Sequence, residues 1–395
     1  IVCAFRYGNT PRLVPGLVTA SGIEWRNDDD GQVDRDGSRE SKCICQTGDN
    51  IFVWFWRDGS MPKCQVVKQT TANPVRNTLV LAFQGSEVSI AQGLSNDQID
   101  YQGQVVHVGD GKMIFCWYNP QSVSIYYAIL QVSDNGNGTT ITRTHNGSEV
   151  DSDGGFYMRL IQHSSGKLIL VFQHRQPGNS HQGYAKYCVG TVGSTSVTWT
   201  SKETLWDHDC EWDAVNIVEL SDGRLLSSVE DGSNCEYRIG TLSGTSISWT
   251  TAATLSGVEP QHQVQTCPAT KLPVFSYRDG TDCKLKFASI SGNTLTVNGI
   301  GNNLGGWDGT YAYTLFDRRA SLLALPDIGQ MVSIGRQKAS NGRYQILSAS
   351  HVVGSSSTDL TANNYVGIAT ASFTNGQTAK ANVVGGVNTA VSGLD

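Results

Sequence analysis

The stretch that decides the fold is LPVFSYRDGTDCKLKFASISGNTLTV, residues 272–297. Apolar and polar residues alternate up to a turn at residues 278–280, alternate again up to a turn at residues 291–293, and then begin a third alternation. A period of two is typical of β-strands with one buried face, and Asp-Gly and Ser-Gly supply the positive φ that tight hairpins need. The stretch therefore predicts three consecutive antiparallel strands.

The same pattern recurs along the chain. Most copies follow a hairpin signal such as GDGK at 109–112 or SDGR at 221–224, and continue into a further strand such as GSTSVTW at 193–199. Each unit therefore predicts four antiparallel strands, A to D. Strand B carries a shared position, which recurs every 48–61 residues at Arg6, Arg57, Tyr118, Arg175, Glu230, Arg278 and Arg336.

A repeat of this length built from short strands is typical of a propeller blade. One such sheet cannot bury both of its faces alone, so neighbouring units must stack around an axis. The sequence predicts an all-β fold, a seven-bladed β-propeller of four-stranded antiparallel blades, over residues 1–360. Equivalent strand-D positions hold three tryptophans, and we expect these to be largely buried between blades: Trp25, Trp199 and Trp249.

The two ends of the chain break the repeat. Seven B strands but only six clear A strands are present, because the chain enters its first blade at strand B. We expect at least one strand of a C-terminal strand segment, residues 361–395, to pack on the propeller and close the ring, from YVGIATAS at 365–372 or AKANVVGG at 379–386. A separate docking module is the alternative. The chain opens on Ile1, so we expect a processed end or a fragment boundary there.

Composition excludes several classes of protein. Charged residues make up 16% of the 395 residues and the net charge is −6, which does not suit a nucleic-acid binder. No apolar run approaches the ~18 residues of a membrane span. The ten cysteines do not recur at equivalent places, so buried thiols are the favoured interpretation. The pairs to examine for disulfides are Cys210 with Cys235, and Cys43 or Cys45 with Cys64.

Three repeat motifs and the C-terminal segment carry a resemblance to a known family. YRDG, GTVGSTSVTW and GTLSGTSISW are similar to sialidase-type propeller repeats and to repeats in long virion proteins of marine bacteriophages. LTANNYVGIATASFTNGQTAKANVVGGVNTAVSGL resembles the segment that follows such repeats in tail-fibre-like proteins. The resemblance implies a virion structural or host-attachment role, a virion or extracellular location, and other virion proteins as partners. It implies no defined catalytic set.

One face of such a ring collects the loops that join strand B to C and strand D to A. There, guanidinium groups would bind sugar carboxylates, aromatic rings would stack on sugars, and acids would accept hydroxyl hydrogen bonds. Each feature has a competing structural interpretation. The arginines would brace the loops by pairing with acids, and this interpretation is favoured because Asp follows Arg in two copies. The aromatic and acidic residues would form a Trp-anchored loop with solvated acids. The candidate glycan-binding residues are Arg57, Trp206, Asp209, Glu211, Trp212, His262, Arg278, Trp307 and Asp308.

Two functions of different classes follow from this face. The leading prediction is a virion host-attachment protein, structural rather than enzymatic, that displays loops for cell-surface glycan binding and is a candidate homo-oligomer. The alternative is a glycan-degrading enzyme, a glycosidase or polysaccharide lyase, with His208 or His262 as general base. Binding is favoured because no acid or base motif exceeds what seven sets of polar loops contain by chance.

An acidic loop is the one candidate for a cofactor. NDDDGQVDRDG at 27–37 places acids around Gly31, the kind of oxygen-rich turn that Ca²⁺ orders. The loop lacks the spaced bidentate Glu of an EF-hand, so an acidic loop without metal is the favoured interpretation. The candidate ligands are Asp28, Asp30, Asp34 and Asp36.

Overall fold

The computed structural model describes residues 2–7, 10–19, 22–25, 33–34, 40–58, 61–73, 78–90, 103–120, 122–134, 138–152, 155–175, 183–210, 215–231, 234–258, 262–267, 272–279, 282–297, 302–306, 321–325, 330–336, 342–347, 368–369 and 381–382. Every regular element in these residues is a β-strand, and all ladders are antiparallel. No helix in these ranges is long and apolar enough to cross a membrane.

The N-terminal half of the chain forms three sheets. The first contains β1 (Val2–Tyr7), β2 (Thr10–Thr19), β3 (Gly22–Trp25) and β4 (Val33–Asp34). The second contains β5 (Glu40–Gly48), β6 (Ile51–Asp58), β7 (Met61–Asn73) and β8 (Thr78–Ser89). The third contains β9 (Gly103–His107), β10 (Lys112–Asn119), β11 (Ser124–Asp134) and β12 (Thr139–Asp151).

The next three sheets each have five strands. The fourth contains β13 (Phe156–Gln162), β14 (Leu168–Arg175), β15 (Gly183–Val192), β16 (Val197–Trp199) and β17 (Glu203–Cys210). The fifth contains β18 (Asn216–Glu219), β19 (Leu225–Asp231), β20 (Asn234–Ser243), β21 (Ser246–Trp249) and β22 (Ala253–Thr254). The sixth contains β23 (Gln263–Thr266), β24 (Pro273–Asp279), β25 (Asp282–Ser291), β26 (Thr294–Val297) and β27 (Asn302–Gly306).

Two smaller sheets complete the described part of the chain. The seventh contains β28 (Ser321–Leu325), β29 (Gln330–Arg336) and β30 (Gly342–Leu347). The eighth pairs β31 (Ile368–Ala369) with β32 (Ala381–Asn382). Since those two short strands are all that is described of residues 361–395, ring closure by this segment stays a prediction, as does the boundary at residue 360.

The sheets are arranged as the blades of a propeller. Their A strands contact one another in succession, in the order β5, β9, β13, β18, β23 and β28, so the innermost strands follow each other around an axis. The first described sheet begins at strand B, as expected, and its β3 contacts β30 of the seventh sheet. The all-β propeller prediction is therefore confirmed, and the count of seven blades stays a prediction.

Hydrophobic layers lie between neighbouring sheets. Phe55 of the second sheet stacks on Phe115 of the third with ring centroids 4.7 Å apart. Further layers join the third sheet to the fourth, the fourth to the fifth and the fifth to the sixth. Strand B alternates between the two layers that flank its sheet, because successive side chains on a strand point to opposite faces. Each blade therefore depends on both neighbours for burial.

A tyrosine on strand C ties each of three sheets to strand D of the next. The Tyr127 hydroxyl donates to the Val197 carbonyl over 3.1 Å and accepts from the Val197 amide over 3.2 Å. The Leu295 amide likewise donates to Tyr237 Oη over 2.9 Å. Tyr187 occupies the same position between the fourth and fifth sheets. The repeat thus preserves a polar bond inside an apolar layer.

The strand-D tryptophans lie at the same interfaces. Trp199 and Trp249 pack against the layers that flank them and neither side chain is exposed, in agreement with the expectation that they are largely buried. Each ring covers the glycine that it faces across the ladder, Gly190 or Gly240, where a Cβ would lie under 3 Å from the indole. The side chain of Trp25 lies outside the described residues.

The described cysteines behave as buried apolar residues. Cys64, Cys116 and Cys188 are fully buried in the layers between sheets. Burial raises the pKa of Cys45 to about 12. No disulfide links any of the described cysteines, so neither pairing suggested by the sequence forms.

Candidate functional site

The loop face is the side of the ring where strands B end and strands A begin. Ladder register identifies the shared position there, because Tyr118, Gln173 and Glu230 lie opposite equivalent residues of strand C. The fourth sheet therefore places Gln173, not Arg175, at that position. All three side chains are buried. The placement of Arg175 at this position is therefore wrong, since Arg175 lies two residues further along β14, opposite Gly183.

The two arginines among the candidate glycan-binding residues, Arg57 and Arg278, are described to different extents. Arg57 is half-buried and lies across the ladder from Glu40, a register that suits the bracing role. Of Arg278 the backbone alone is described, within β24.

The segment LWDHDCEWD at 205–213, predicted as a Trp-anchored loop with solvated acids, is a strand as far as Cys210, where β17 ends. β17 pairs with β15 across two register irregularities, and Cys210 at its end lies opposite Gly183 beside the loop face. Bulges of this kind bend a strand and re-aim its side chains. Trp206 and Cys210 therefore enter the layer shared with the fifth sheet.

Trp206 is a core residue. Its side chain is fully buried, and its indole Nε1 donates to Ser227 Oγ over 3.3 Å. A ring enclosed in this way presents no open face to a sugar. The prediction of Trp206 as a stacking platform is therefore corrected: the residue supports its neighbours.

Four side chains from two facing strands form what we call the β17–β20 cluster: Trp206 and His208 from β17, and Glu236 and Arg238 from β20. His208 Nε2 lies 3.1 Å from Glu236 Oε2. The guanidinium carbon of Arg238 lies 4.7 Å from the centroid of the Trp206 ring. The Trp206 and His208 rings are 5.5 Å apart, so the two pairs lie side by side.

The polar half of the cluster reaches solvent. The side chains of His208 and Glu236 are 30% and 28% exposed, and that of Arg238 is 21% exposed. A carboxylate only accepts hydrogen bonds, so His208 Nε2 carries the hydrogen in this pair. Nδ1 is then the basic ring nitrogen. An imidazole oriented by a carboxylate is suited to proton transfer.

His262 lies at a different interface. The residue is buried between the fifth and sixth sheets, with Nε2 2.7 Å from Ser228 Oγ and Nδ1 3.7 Å from Cys235 Sγ. By register, the equivalent positions between the fourth and fifth sheets hold apolar residues: Val215 in place of His262, Val171 in place of Ser228 and Ala185 in place of Cys235. The predicted role of His262 in an open cleft does not fit this enclosed position.

Several predicted site residues lie outside the described residues: Glu211, Trp212, Trp307, Asp308, Asp28, Asp30 and Asp36. Of Asp209 and Asp34 only the backbone is described. In the described ranges no group of three or more His, Cys, Asp or Glu side chains is placed to hold a metal ion. The calcium site at residues 27–37 stays a prediction.

Sequence reasoning missed Glu236 and Arg238. The signal lay in the repeat, since Ala128 and Cys188 occupy the position of Arg238 in the third and fourth sheets, and both are fully buried. The sixth sheet has Lys286 at the same position, so the charge alone did not distinguish Arg238.

Comparisons with known proteins agree with the propeller. The chain is similar to the polysaccharide lyase Uly1, with a TM-score of 0.50, 9% identity, and 87% of this chain and 89% of that chain covered. It is also similar to the α-L-arabinofuranosidase Arb93A of Fusarium graminearum (TM-score 0.47, 11% identity, 80% and 94% covered). A third similar structure is the sialidase NanB of Streptococcus pneumoniae (TM-score 0.41, 12% identity, 86% and 53% covered).

Sequence comparisons add no family. No protein-family model matches the chain, and no curated protein sequence matches it. The sialidase-type part of the resemblance is supported as a fold, whereas a tail-fibre identity is not shown. The leading functional prediction, a virion structural or attachment protein, is wrong: the similar structure with a TM-score of 0.50 is a polysaccharide lyase, in line with the alternative prediction and not with the leading one.

Proposed function

We propose that this chain is a glycan-degrading enzyme, a glycosidase or polysaccharide lyase, whose proton-transfer residue is His208. The observation that carries the proposal is the His208–Glu236 pair, 3.1 Å apart and open to solvent on a propeller. The fold shared with a polysaccharide lyase supplies the reaction class. On this proposal the enzyme acts on glycans at a cell surface, and it is either secreted or carried on a phage particle.

Both reactions need a group that takes or gives a proton. In hydrolysis an acid protonates the leaving oxygen while a base or nucleophile acts at the anomeric carbon. In elimination a base removes the proton next to the sugar carboxylate, and the glycosidic oxygen leaves with its electron pair. His208 would take that proton on Nδ1, while Glu236 stabilises the resulting imidazolium.

The test is cleavage of a panel of neutral and acidic polysaccharides. New reducing ends without ultraviolet absorbance identify a hydrolase, and absorbance from unsaturated uronates identifies a lyase. We expect His208→Gln and Glu236→Gln to lower the rate by about a hundredfold or more. A matched control is Asp134→Asn, which breaks a similarly exposed 3.0 Å ion pair with Lys68 at the opposite end of the strands.

Every outcome of this test either supports or refutes the proposed function. Loss of cleavage in both cluster variants, with Asp134→Asn unchanged and all proteins folded by circular dichroism, supports the proposal. Unchanged rates in the cluster variants would remove the site from the β17–β20 cluster. No cleavage of any polysaccharide by the wild type would remove the enzymatic assignment.

A further inference from the structure

Arg238 has unused hydrogen-bonding capacity. Its guanidinium donates no hydrogen bond to any residue that the structure describes, and its Nε is buried without a partner. Arg143, by contrast, donates to the Ser89 and Ile90 carbonyls, and Arg224 donates to the Gly292 carbonyl. A guanidinium carries five N–H donors in a fixed fork. Leaving these donors without acceptors at a partly buried position costs free energy, unless a group from outside accepts their hydrogen bonds.

Two other sheets hold a small apolar residue at this position, and the sixth holds Lys286, which donates to the Gly257 carbonyl. The register-equivalent Ala128 and Cys188 are fully buried and apolar, and each belongs to an intact layer between sheets. Arg238 replaces that small side chain with a long cation that lies over the Trp206 ring. Because Trp206 is itself enclosed and bonded to Ser227, the guanidinium rests on a rigid support.

Among the residues that the structure describes, one acid lies near the guanidinium and holds it loosely. Asp207 Oδ1 lies 3.7 Å from Arg238 Nη2, beyond hydrogen-bond distance, and the Asp207 side chain is 79% exposed. A well-solvated carboxylate at this distance contributes little and is easily displaced. The guanidinium is therefore ready for an incoming oxyanion.

We propose that Arg238 binds the carboxylate or sulfate group of an acidic polysaccharide, an inference that rests on the proposed function. Guanidinium matches such planar or forked oxyanions with two parallel hydrogen bonds. Arg238 and Glu236 lie two residues apart on β20, ~7 Å along a strand. An anionic sugar held at Arg238 thus places its chain beside His208 and Glu236.

Affinity electrophoresis through gels that contain polygalacturonate, dextran sulfate or uncharged dextran tests this site by binding alone. The chain carries a net charge of −6, so general attraction to polyanions is disfavoured and retardation reports a local site. We expect retardation of the wild type in at least one acidic gel. Arg238→Gln should weaken it at least tenfold, and Arg238→Lys, which keeps the charge but loses the fork, should weaken it less.

The matched control is Lys286→Gln, which removes one positive charge at the equivalent position of the sixth sheet, where the ammonium donates to the Gly257 carbonyl. Equal loss in this variant, or no retardation of the wild type in either acidic gel, would overturn the inference. Retardation by polygalacturonate alone identifies a carboxylate site, and by dextran sulfate alone a sulfate site. Melting curves of all variants exclude unfolding as the cause.

The experiments distinguish a failure of the anion-site inference from a failure of the proposed function. If the protein cleaves a neutral polysaccharide and Arg238→Gln is as active as the wild type, the anion site is wrong and the enzyme stands. If Arg238→Gln loses binding while no polysaccharide is cleaved by the wild type, the anion site stands and the enzyme is wrong.

Discussion

Replacing Tyr127 by Phe should lower the stability of the protein by weakening the contact between the third and fourth sheets, while the packing of the two sheets stays the same. The substitution removes one hydroxyl, which makes two buried bonds of 3.1 and 3.2 Å to the Val197 backbone. It leaves an amide and a carbonyl without that partner, and each unsatisfied buried group costs ~1–3 kcal/mol. We therefore expect the free energy of unfolding to fall by about 2–4 kcal/mol. The ring keeps its stack on His145 and its edge contact with Trp199.

Denaturant titration followed by tryptophan fluorescence measures this change. The control is Tyr126→Phe, because Tyr126 stacks on Trp117 at 5.8 Å and none of the described residues hydrogen-bonds its hydroxyl. That variant should lie within about 0.5 kcal/mol of the wild type. Equal stability of the two variants would refute the view that the tyrosine hydroxyl fixes strand D of the next blade.

Four further predictions address the scaffold. Gly240→Ala should destabilise by ~1–3 kcal/mol in denaturant titration, because the new Cβ would meet the Trp249 ring at 2.6 Å. Trp249→Ala should cost ~3 kcal/mol, and a loss below 1 kcal/mol would contradict its role between sheets. Burial raises the pKa of Cys45 from 9.0 to about 12, so at pH 8 its thiolate is about a thousandfold rarer in the folded than in the unfolded protein. Labelling of Cys45 by a thiol reagent should therefore need unfolding. The contribution of this thiol to stability should be complete below pH 9 and should fall as the pH rises further. Truncation after Leu360 should lower the melting temperature if residues 361–395 pack on the ring; an unchanged value favours a separate docking module.

Much of the fold could be predicted because turns and alternation are local signals. The three strands predicted over residues 272–297 are β24, β25 and β26, and the strand predicted at 193–199 contains β16. One of the strands that the sequence did not predict is β17, because Asp207 and Asp209 suggested a loop. Yet Trp206, His208 and Cys210 alternate with those acids, the pattern of a strand with one face in the core.

The site was harder to predict because it depends on which sheet faces which. His208 was recognised by its residue type, whereas its partner Glu236 lies in the next repeat. Register across hydrogen-bonded strands, which sequence spacing approximates only within a residue or two, decides such pairings. The placement of Arg175 at the shared position failed for this reason, since the ladder puts Gln173 there.

Departures from the repeat do not all point to function, and hydrogen bonding separates the two kinds. His262 replaces an apolar residue, but Ser228 bonds its ring and the side chain is enclosed, which is the condition of a satisfied core residue. Arg238 also replaces an apolar residue, yet it keeps partial exposure and donates to none of the described residues. A guanidinium that none of the described residues satisfies is what the proposed anion site requires, and the carboxylate-oriented imidazole beside it would give a bound polysaccharide its proposed reaction.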